Sequence, residues 1–253
     1  MDSDTRRREI LTLARAKGSV DVTTLSSGLG VSPETVRRDL RSLEEHGLVK
    51  RTHGGAFPVE SAAYETTLAD RTQRQLPQKM RIASAGANLL RGAETVFVDE
   101  GFTPQLLAEA LPDSRPLTVI TASLTTAVVL SARPNISVVQ LGGRVRRGTM
   151  ATIGHDCTRM LAALVFDLAF IGANGISREH GLTTPDTMVG EVKAQAVRSA
   201  KRRVLISVSR KFGTVSFSRF AEISDFEAIV TDSGLSSTEA ARYGMLGPQV
   251  IRV

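Results

Sequence analysis

One cysteine, Cys157, is all that the 253-residue chain contains, so no intramolecular disulfide forms and a cysteine-rich zinc site is excluded. The four histidines, His46, His53, His155 and His180, stand at no metal-ligand spacing; neither a metal nor a cofactor is expected. No apolar run reaches transmembrane length, and the opening MDSDTRRREI has no signal-peptide core, so no membrane partner and a reducing cytoplasm are expected. Also missing are a Walker P-loop, a G-x-S-x-G elbow and a GxGxxG turn after a strand. Their absence removes the commonest nucleotide-binding and serine-hydrolase readings.

What is present is ordinary globular material. Hydrophobic residues make up 42% and charged residues 23%, in a length that suits one to two domains. Net charge is +6, but residues 1–57 hold 10 basic and 8 acidic side chains, so only +2 of it lies there. A basic total therefore does not mark the first segment as a nucleic-acid binder; the placement of the charges has to do so.

Placement is informative in S-P-E-T-V-R-R-D-L-R, residues 32–41. Ser32 suits an N-cap, Pro33 the first helical position, and Glu34 the positive end of the helix dipole. At about 100° per residue, Val36, Leu40 and Leu43 share one side. Glu34, Arg38 and Arg41 point away from it, flanked by Thr35 and Arg37. Upstream, Ile10, Leu13 and Ala14 outline one helix ending at Gly18. Leu25 and Leu29 outline a second, capped by Asp21 or Thr23, and Gly30-Val31 turns into the third, which stops at Gly47. This is helix-turn-helix spacing. LVKRTHGGAF then reads as a two-stranded wing carrying Lys50, Arg51 and His53 before a Gly54-Gly55 turn.

A helix of this kind fits the major groove, where a bidentate arginine on guanine gives roughly 1–3 kcal/mol of discrimination. Lys50, Arg51 and the amides of Gly54 and Gly55 would hold phosphates. Asp39 lies nearer the core side and reads as an ion-pair partner. The plainer alternative is a solvated face on an ordinary helical subdomain; cap, turn, helix and wing arriving in order favour double-stranded DNA.

Residues 58–78, bracketed by Pro58 and Pro77, read as a linker with a short helix. Beyond them, apolar runs at 95–99, 117–121, 136–141, 167–172, 203–209, 228–232 and 249–253 alternate with helical segments, which predicts an α/β domain with a mostly parallel sheet. Ligands in such sheets bind beyond the carboxyl ends of the strands. There the chain places Asp99-Glu100-Gly101-Phe102-Thr103, Thr121-Ala122-Ser123, Gly142-Gly143-Arg144, Gly172-Ala173-Asn174-Gly175 and Ser209-Arg210-Lys211-Phe212-Gly213. Glycine amides, helix starts at Thr103 and Ser123, and the Lys211 ammonium together suit a small anionic ligand. Turn chemistry alone accounts for any one of these loops, and the run Arg144 to Arg147, which reads as a phosphate clamp, a subunit contact or a solvated loop, stays unassigned.

Two sets of motifs resemble one family. S-P-E-T-V-R-R-D-L followed by LEEHGLVKRTHGGA is similar to the DNA-binding domain of the DeoR family of bacterial transcriptional regulators. VDEGFTPQLLAEAL, TASL, LGG, FIGANGI, GLTTPD, EVKAQAV and RKFG follow in the order of its sensor domain. The chain is expected to divide into a winged helix-turn-helix domain over 1–57, a linker over 58–78 and an effector-sensing domain over 79–253; the resemblance covers 6–57 and roughly 79–232, and it implies for the latter a fold similar to ribose-5-phosphate isomerase. It implies a sequence-specific regulator, a repressor above all, that senses a phosphorylated sugar or related metabolite and works as a homo-oligomer. Carried over by position, Asp99, Gly101, Thr103, Ser123, Gly172, Gly175, Thr184, Glu191, Lys193 and Lys211 are its pocket candidates. Four positions depart from the family pattern: Phe102 for a small Ser or Thr, Ala122 for Asn, Asn174 for Asp and Val208 for Asp. The lost carboxylates argue against isomerase chemistry, which needs a base near the sugar carbon. A regulator whose sensor is ligand-deficient, and an isomerase-like enzyme on a nucleic-acid anchor, remain as alternatives.

Overall fold

A computed structural model describes residues 2–17, 19–45, 48–52, 54–58 and 75–253. The chain divides into two compact units, Met1–Tyr64 and Glu65–Val253.

In the first unit, α1 (Ser3–Lys17), α2 (Val22–Leu29) and α3 (Pro33–Glu45) surround a small core. Ile10, Ala14, Val36, Leu40 and Leu43 are buried in it, as their helical spacing requires. The cap of α2 is Asp21, whose carboxylate accepts from the Thr24 amide at 2.7 Å. The wing strands β2 (Val49–Thr52) and β3 (Gly55–Pro58) are joined by a strand not anticipated from sequence, β1 (Val20–Asp21), giving the order β1-β3-β2. Two residues leave no periodicity to detect.

The second unit opens with α4 (Leu76–Ala87), which has Pro77 in its first turn, so the helix starts inside the expected linker. Residues 59–74 lie outside the described residues. Seven strands follow in one parallel sheet: β4 (Thr95–Val98), β5 (Leu117–Thr121), β6 (Ile136–Gln140), β9 (Phe166–Ile171), β12 (Ala200–Ile206), β14 (Ala228–Thr231) and β15 (Gln249–Arg252). Six of them coincide with an expected apolar run to within a residue, and β12 overlaps its run but lies three residues earlier. Their order is β15-β14-β12-β9-β4-β5-β6. The chain lays down β4, β5 and β6 outward on one side, then returns to place β9 against the other edge of β4. The direction of winding reverses between β4 and β9.

Helices cover both faces. Val96 and Val98 face a core with Ile82 of α4, Leu107 of α5 (Phe102–Glu109) and Leu130 of α6 (Leu124–Ser131). Phe97 faces the opposite core, with Leu161 of α7 (His155–Ala162), Ala196 of α8 (Thr187–Ser199) and Tyr243 of α9 (Ser237–Gly244). Strands buried on both faces account for the near-continuous apolar runs. Two smaller sheets sit beyond this framework: the hairpin β7 (Arg144–Arg146) and β8 (Ala151–Ile153), and an antiparallel group of β10 (Gly175–Ser177), β11 (Gly181–Thr184) and β13 (Ser218–Ala221). Among the described residues, no helix is long and apolar enough to cross a membrane.

Candidate DNA-reading face and effector site

On α3 the hydroxyl of Ser32 accepts from the Thr35 amide at 3.2 Å, so the helix begins where its cap was expected. Pro33, Glu34, Arg37, Arg38 and Arg41 are exposed and Thr35 is half-buried. Arg37 pairs with Glu34 one turn before it, Nη1 to Oε2 at 3.2 Å. Arg38 and Arg41 have no ion-pair or hydrogen-bond partner among the described residues.

Asp39 fixes this helix. It is 1% exposed, and its carboxylate receives Arg6 Nε at 2.6 Å and Arg7 Nε at 3.2 Å, both from α1. The arginines are distant in sequence but meet Asp39 in the packed unit. The Asp39 carboxylate hydrogen bond raises the Arg6 guanidinium's pKa further.

The wing is tied to α3 as well: the Arg51 amide donates to Glu44 Oε1 at 2.9 Å and its guanidinium lies 3.6 Å from Oε2. Gly54 is exposed at the turn. Gly55, expected to face phosphate, is buried instead, because β1 passes so close that a Cβ would stand 2.2 Å from the Val20 carbonyl oxygen. Close backbone approach within the sheet is enough to require a glycine here. The Lys50 side chain and His53 lie outside the described residues.

In the second unit the reversal between β4 and β9 brings Asp99 and Gly172 together. The Gly172 amide donates to Asp99 Oδ2 at 2.8 Å, and the Glu100 amide donates to Oδ1 at 2.8 Å. Lys193, projecting from α8 and only 2% exposed, donates to the same carboxylate and to the Gly172 carbonyl at 3.2 Å. Glu100 Oε1 is 3.8 Å from its ammonium. Burial pushes the Asp99 carboxyl above its ordinary pKa; Lys193 pulls it back and Glu100 adds to the rise. Lys211 donates to the next carbonyl, that of Ala173, at 2.5 Å. Two lysines thus hold consecutive carbonyls of the loop leaving β9.

The turn bearing Lys211 is set by Asp232 at the end of β14, which accepts from the Ser209 amide and hydroxyl, both at 2.7 Å, and from the Gly234 amide at 3.0 Å. Burial opposes ionisation of Asp232, but these donors outweigh it and leave its pKa lowered. Thr184 donates to Asn174 Oδ1 at 3.2 Å, so the asparagine at the departing position has a defined task. Gly101 begins α5 with φ 110°, and Thr103 is half-buried in its first turn.

Other candidates are placed differently. Ser123 is buried, its hydroxyl caps α6 by accepting from the Thr126 amide at 3.2 Å, and the Met150 carbonyl takes the Leu124 amide. Gly175 is a packing glycine: a Cβ would lie 2.5 Å from Thr183 Oγ1. Glu191 is exposed, two residues from Lys193 and so on the other side of α8. Phe102 is half-buried with the Lys79 ammonium 5.5 Å from its ring centre, while Val208 and Ala122 join the two apolar cores.

The sequence left Lys79 and Asp232 unmarked as parts of this neighbourhood, and gave Glu100 and Arg146 places in its loops without a role. The strand-end position of Asp232 was the available signal; Lys79 lies at the start of a helix with no motif. Asp186 caps α8 and receives Arg146 Nε at 3.1 Å.

Comparison with known proteins agrees with this two-unit plan. Residues 6–62 match the DeoR-like helix-turn-helix domain and residues 74–233 the DeoR C-terminal sensor domain. The HTH-type transcriptional regulator GlpR of Haloferax volcanii is 34% identical over 97% of this chain and 96% of its own. The glycerol-3-phosphate regulon repressor of Escherichia coli is 29% identical over 92% of each. Ribose 5-phosphate isomerase A of Neisseria gonorrhoeae superposes with a TM-score of 0.40 at 14% identity, over 60% of this chain and 56% of that one.

Proposed function

Since the chain belongs to the DeoR family of transcriptional regulators, we propose that it is a repressor which reads an operator through α3 and the wing and releases it in response to a phosphorylated sugar or related metabolite. The observation that carries the DNA half is the pair Arg38 and Arg41, exposed on a helix that Asp39 locks to α1. Ser32, Pro33, Glu34, Thr35 and Arg37 complete the reading face, with Lys50, Arg51, His53 and Gly54 on the phosphates. The protein works in the cytoplasm as a homo-oligomer, since two recognition helices read half-sites about one helical turn, or a multiple of it, apart.

The effector occupies the crevice at the β4–β9 reversal, where open parallel sheets bind ligands. Asp99, Gly101, Thr103, Gly172, Thr184, Lys193 and Lys211 surround it. The Escherichia coli relative's name makes glycerol 3-phosphate the first compound to try. Effector binding acts by differing in affinity for the two arrangements of the oligomer, and a coupling of ~1–3 kcal/mol gives a several-fold to hundredfold response.

One observation favours a second reading, a sensor without a ligand: Phe102 and the buried Lys79 pack together at the very loop expected to take the anion. Fluorescence-anisotropy titration of the chain's own upstream DNA, with and without glycerol 3-phosphate, fructose 1-phosphate, glucose 6-phosphate and ribose 5-phosphate, separates the two. A shift of operator affinity by one of them is the expected result. Tight binding indifferent to all four supports the ligand-free sensor, and no sequence preference overturns the operator reading.

A further inference from the structure

The Arg144–Arg146 strand belongs to a hairpin built onto the effector end of the sheet. Strand β8 is fastened to the loop after β5: the Thr152 amide donates to the Ala122 carbonyl at 2.8 Å, and its hydroxyl donates to the Leu141 carbonyl at 2.8 Å. The hairpin is therefore an extension of the β4-β5-β6 side. Asp186 follows β11, which pairs with β10 and so extends the β9 side. The Arg146–Asp186 ion pair joins the two sides of the winding reversal, with the arginine 20% and the aspartate 30% exposed.

We infer that Arg146 is the effector's anion-recognising residue and that Asp186 is an internal competitor for it, displaced when a phosphate arrives. This rests on the effector reading above. Of the cations at this end of the sheet, Lys193 is sealed against Asp99, and Lys211 is turned to a backbone carbonyl. Arg146 is 20% exposed, with Nη1 itself buried, and its planar fork matches a phosphate's oxygens in a bidentate way that an ammonium cannot. Asp186 loses little by releasing it, because its Oδ1 still caps α8 through the Met188 and Val189 amides at 2.8 and 3.2 Å, while Oδ2 alone takes the guanidinium. The hairpin freed from Asp186 is then drawn by the ligand rather than by the protein, and α8, which carries Lys193, feels the exchange at its N-cap.

Opposite signs in two variants test this. Calorimetric titration of the full chain with the four phosphates named above, and with the dephosphorylated form of any that binds, is run on wild type, Arg146→Gln and Asp186→Asn. Asparagine caps a helix as well as aspartate does, so the second variant removes competition without uncapping α8. Arg146→Gln is expected to weaken the phosphate about tenfold or more and to leave the dephosphorylated compound unaffected. Asp186→Asn is expected to tighten the phosphate several-fold. A bridge that only braces the fold would weaken binding in both variants, and that result overturns the inference even if Arg146→Gln proves unstable. Unchanged affinity in both also overturns it while leaving the effector reading intact. Failure of the wild-type chain to bind any of the phosphates overturns the effector reading itself.

Discussion

Arg38 and Arg41 stand on α3 with no carboxylate of the described residues against them, whereas Lys193, Lys211 and Arg146 each already touch a protein oxygen. The difference follows from the size of the ligand each unit is suited to. A DNA duplex carries a dense line of charge and releases counterions when cations approach, so an unpaired arginine held on a rigid helix costs the free protein little and is ready for use. A small metabolite brings one or two charges into a crevice. There a cation left bare and buried would be costly, and pairing it internally keeps the empty site folded. On the proposed function, the reading face is preformed, while the sensor site exchanges partners.

The comparison is sharpest at the two buried carboxylates. Lys193→Met strands Asp99 and Glu100 in a nearly dry site, and the chain should lose about 3–5 kcal/mol by urea denaturation. A loss under about 1 kcal/mol would show that the ion pair contributes little net stability. Asp39→Ala removes the clamp between α1 and α3. Its arginine partners, partly exposed, regain water, so the loss should be smaller than for Lys193→Met, with operator binding weakened alongside. Equal losses from the two variants would erase the distinction between the units.

Arg38→Ala should leave folding unchanged and cost roughly 1–3 kcal/mol of discrimination between operator and scrambled DNA in anisotropy titrations. Intact sequence preference in that variant would misplace the recognition face.

Proton linkage gives a weaker effect. Asp167, at the start of β9, accepts from Lys201, from the Glu94 and Thr95 amides and from the Thr95 hydroxyl, and these hold its carboxyl well below the usual range, the Lys201 bond foremost. A carboxyl with a depressed folded pKa contributes stability that is present above its unfolded value of about 4 and is lost as pH falls toward the folded one. Asp167→Asn should therefore flatten the acid side of the stability profile below about pH 4 and change little at pH 7 beyond a constant offset. A profile parallel to wild type across that range would show that Asp167 is not a source of the acid sensitivity.

How much of this was legible in the sequence divides along physical lines. The inner strands β4, β5, β9, β12 and β14 declared themselves because they are largely buried on both faces, the half-exposed edge strands β6 and β15 by their β-branched apolar residues, and α3 because its cap, apolar stripe and basic face agree. Asp39 was recognisable as inward-facing, but its partners were not: Arg6 and Arg7 lie more than thirty residues away, and only packing brings them there. Short elements were invisible for a different reason. Strand β1 is two residues long, and the β7–β8 hairpin hides between glycines, so the pairing that places Arg146 opposite Asp186 leaves no periodic trace. Gly55, Gly175 and Glu191 show the converse hazard. A motif position says that a residue type is needed, not whether a ligand or a neighbouring strand needs it.

The smallest expected effect concerns the wing, where the contrast between free and paired cations can be read within one unit. Arg41 is free among the described residues; Arg51 is held by Glu44 through both backbone and side chain. Neutralising one phosphate contact changes the slope of log K against log salt by about 0.9 when the cation starts unpaired. Arg51 gives up part of an existing ion pair when it meets DNA, so its net gain is less, and Arg51→Ala should lower the slope by less than Arg41→Ala does. Removing the competitor reverses this. Glu44→Gln should tighten DNA of any sequence, most at low salt, because it frees Arg51 and lifts one negative charge from beside the backbone. Equal slopes for Arg41→Ala and Arg51→Ala, with Glu44→Gln binding as wild type does, would mean that Glu44 yields Arg51 without cost and that internal pairing does not tune the wing.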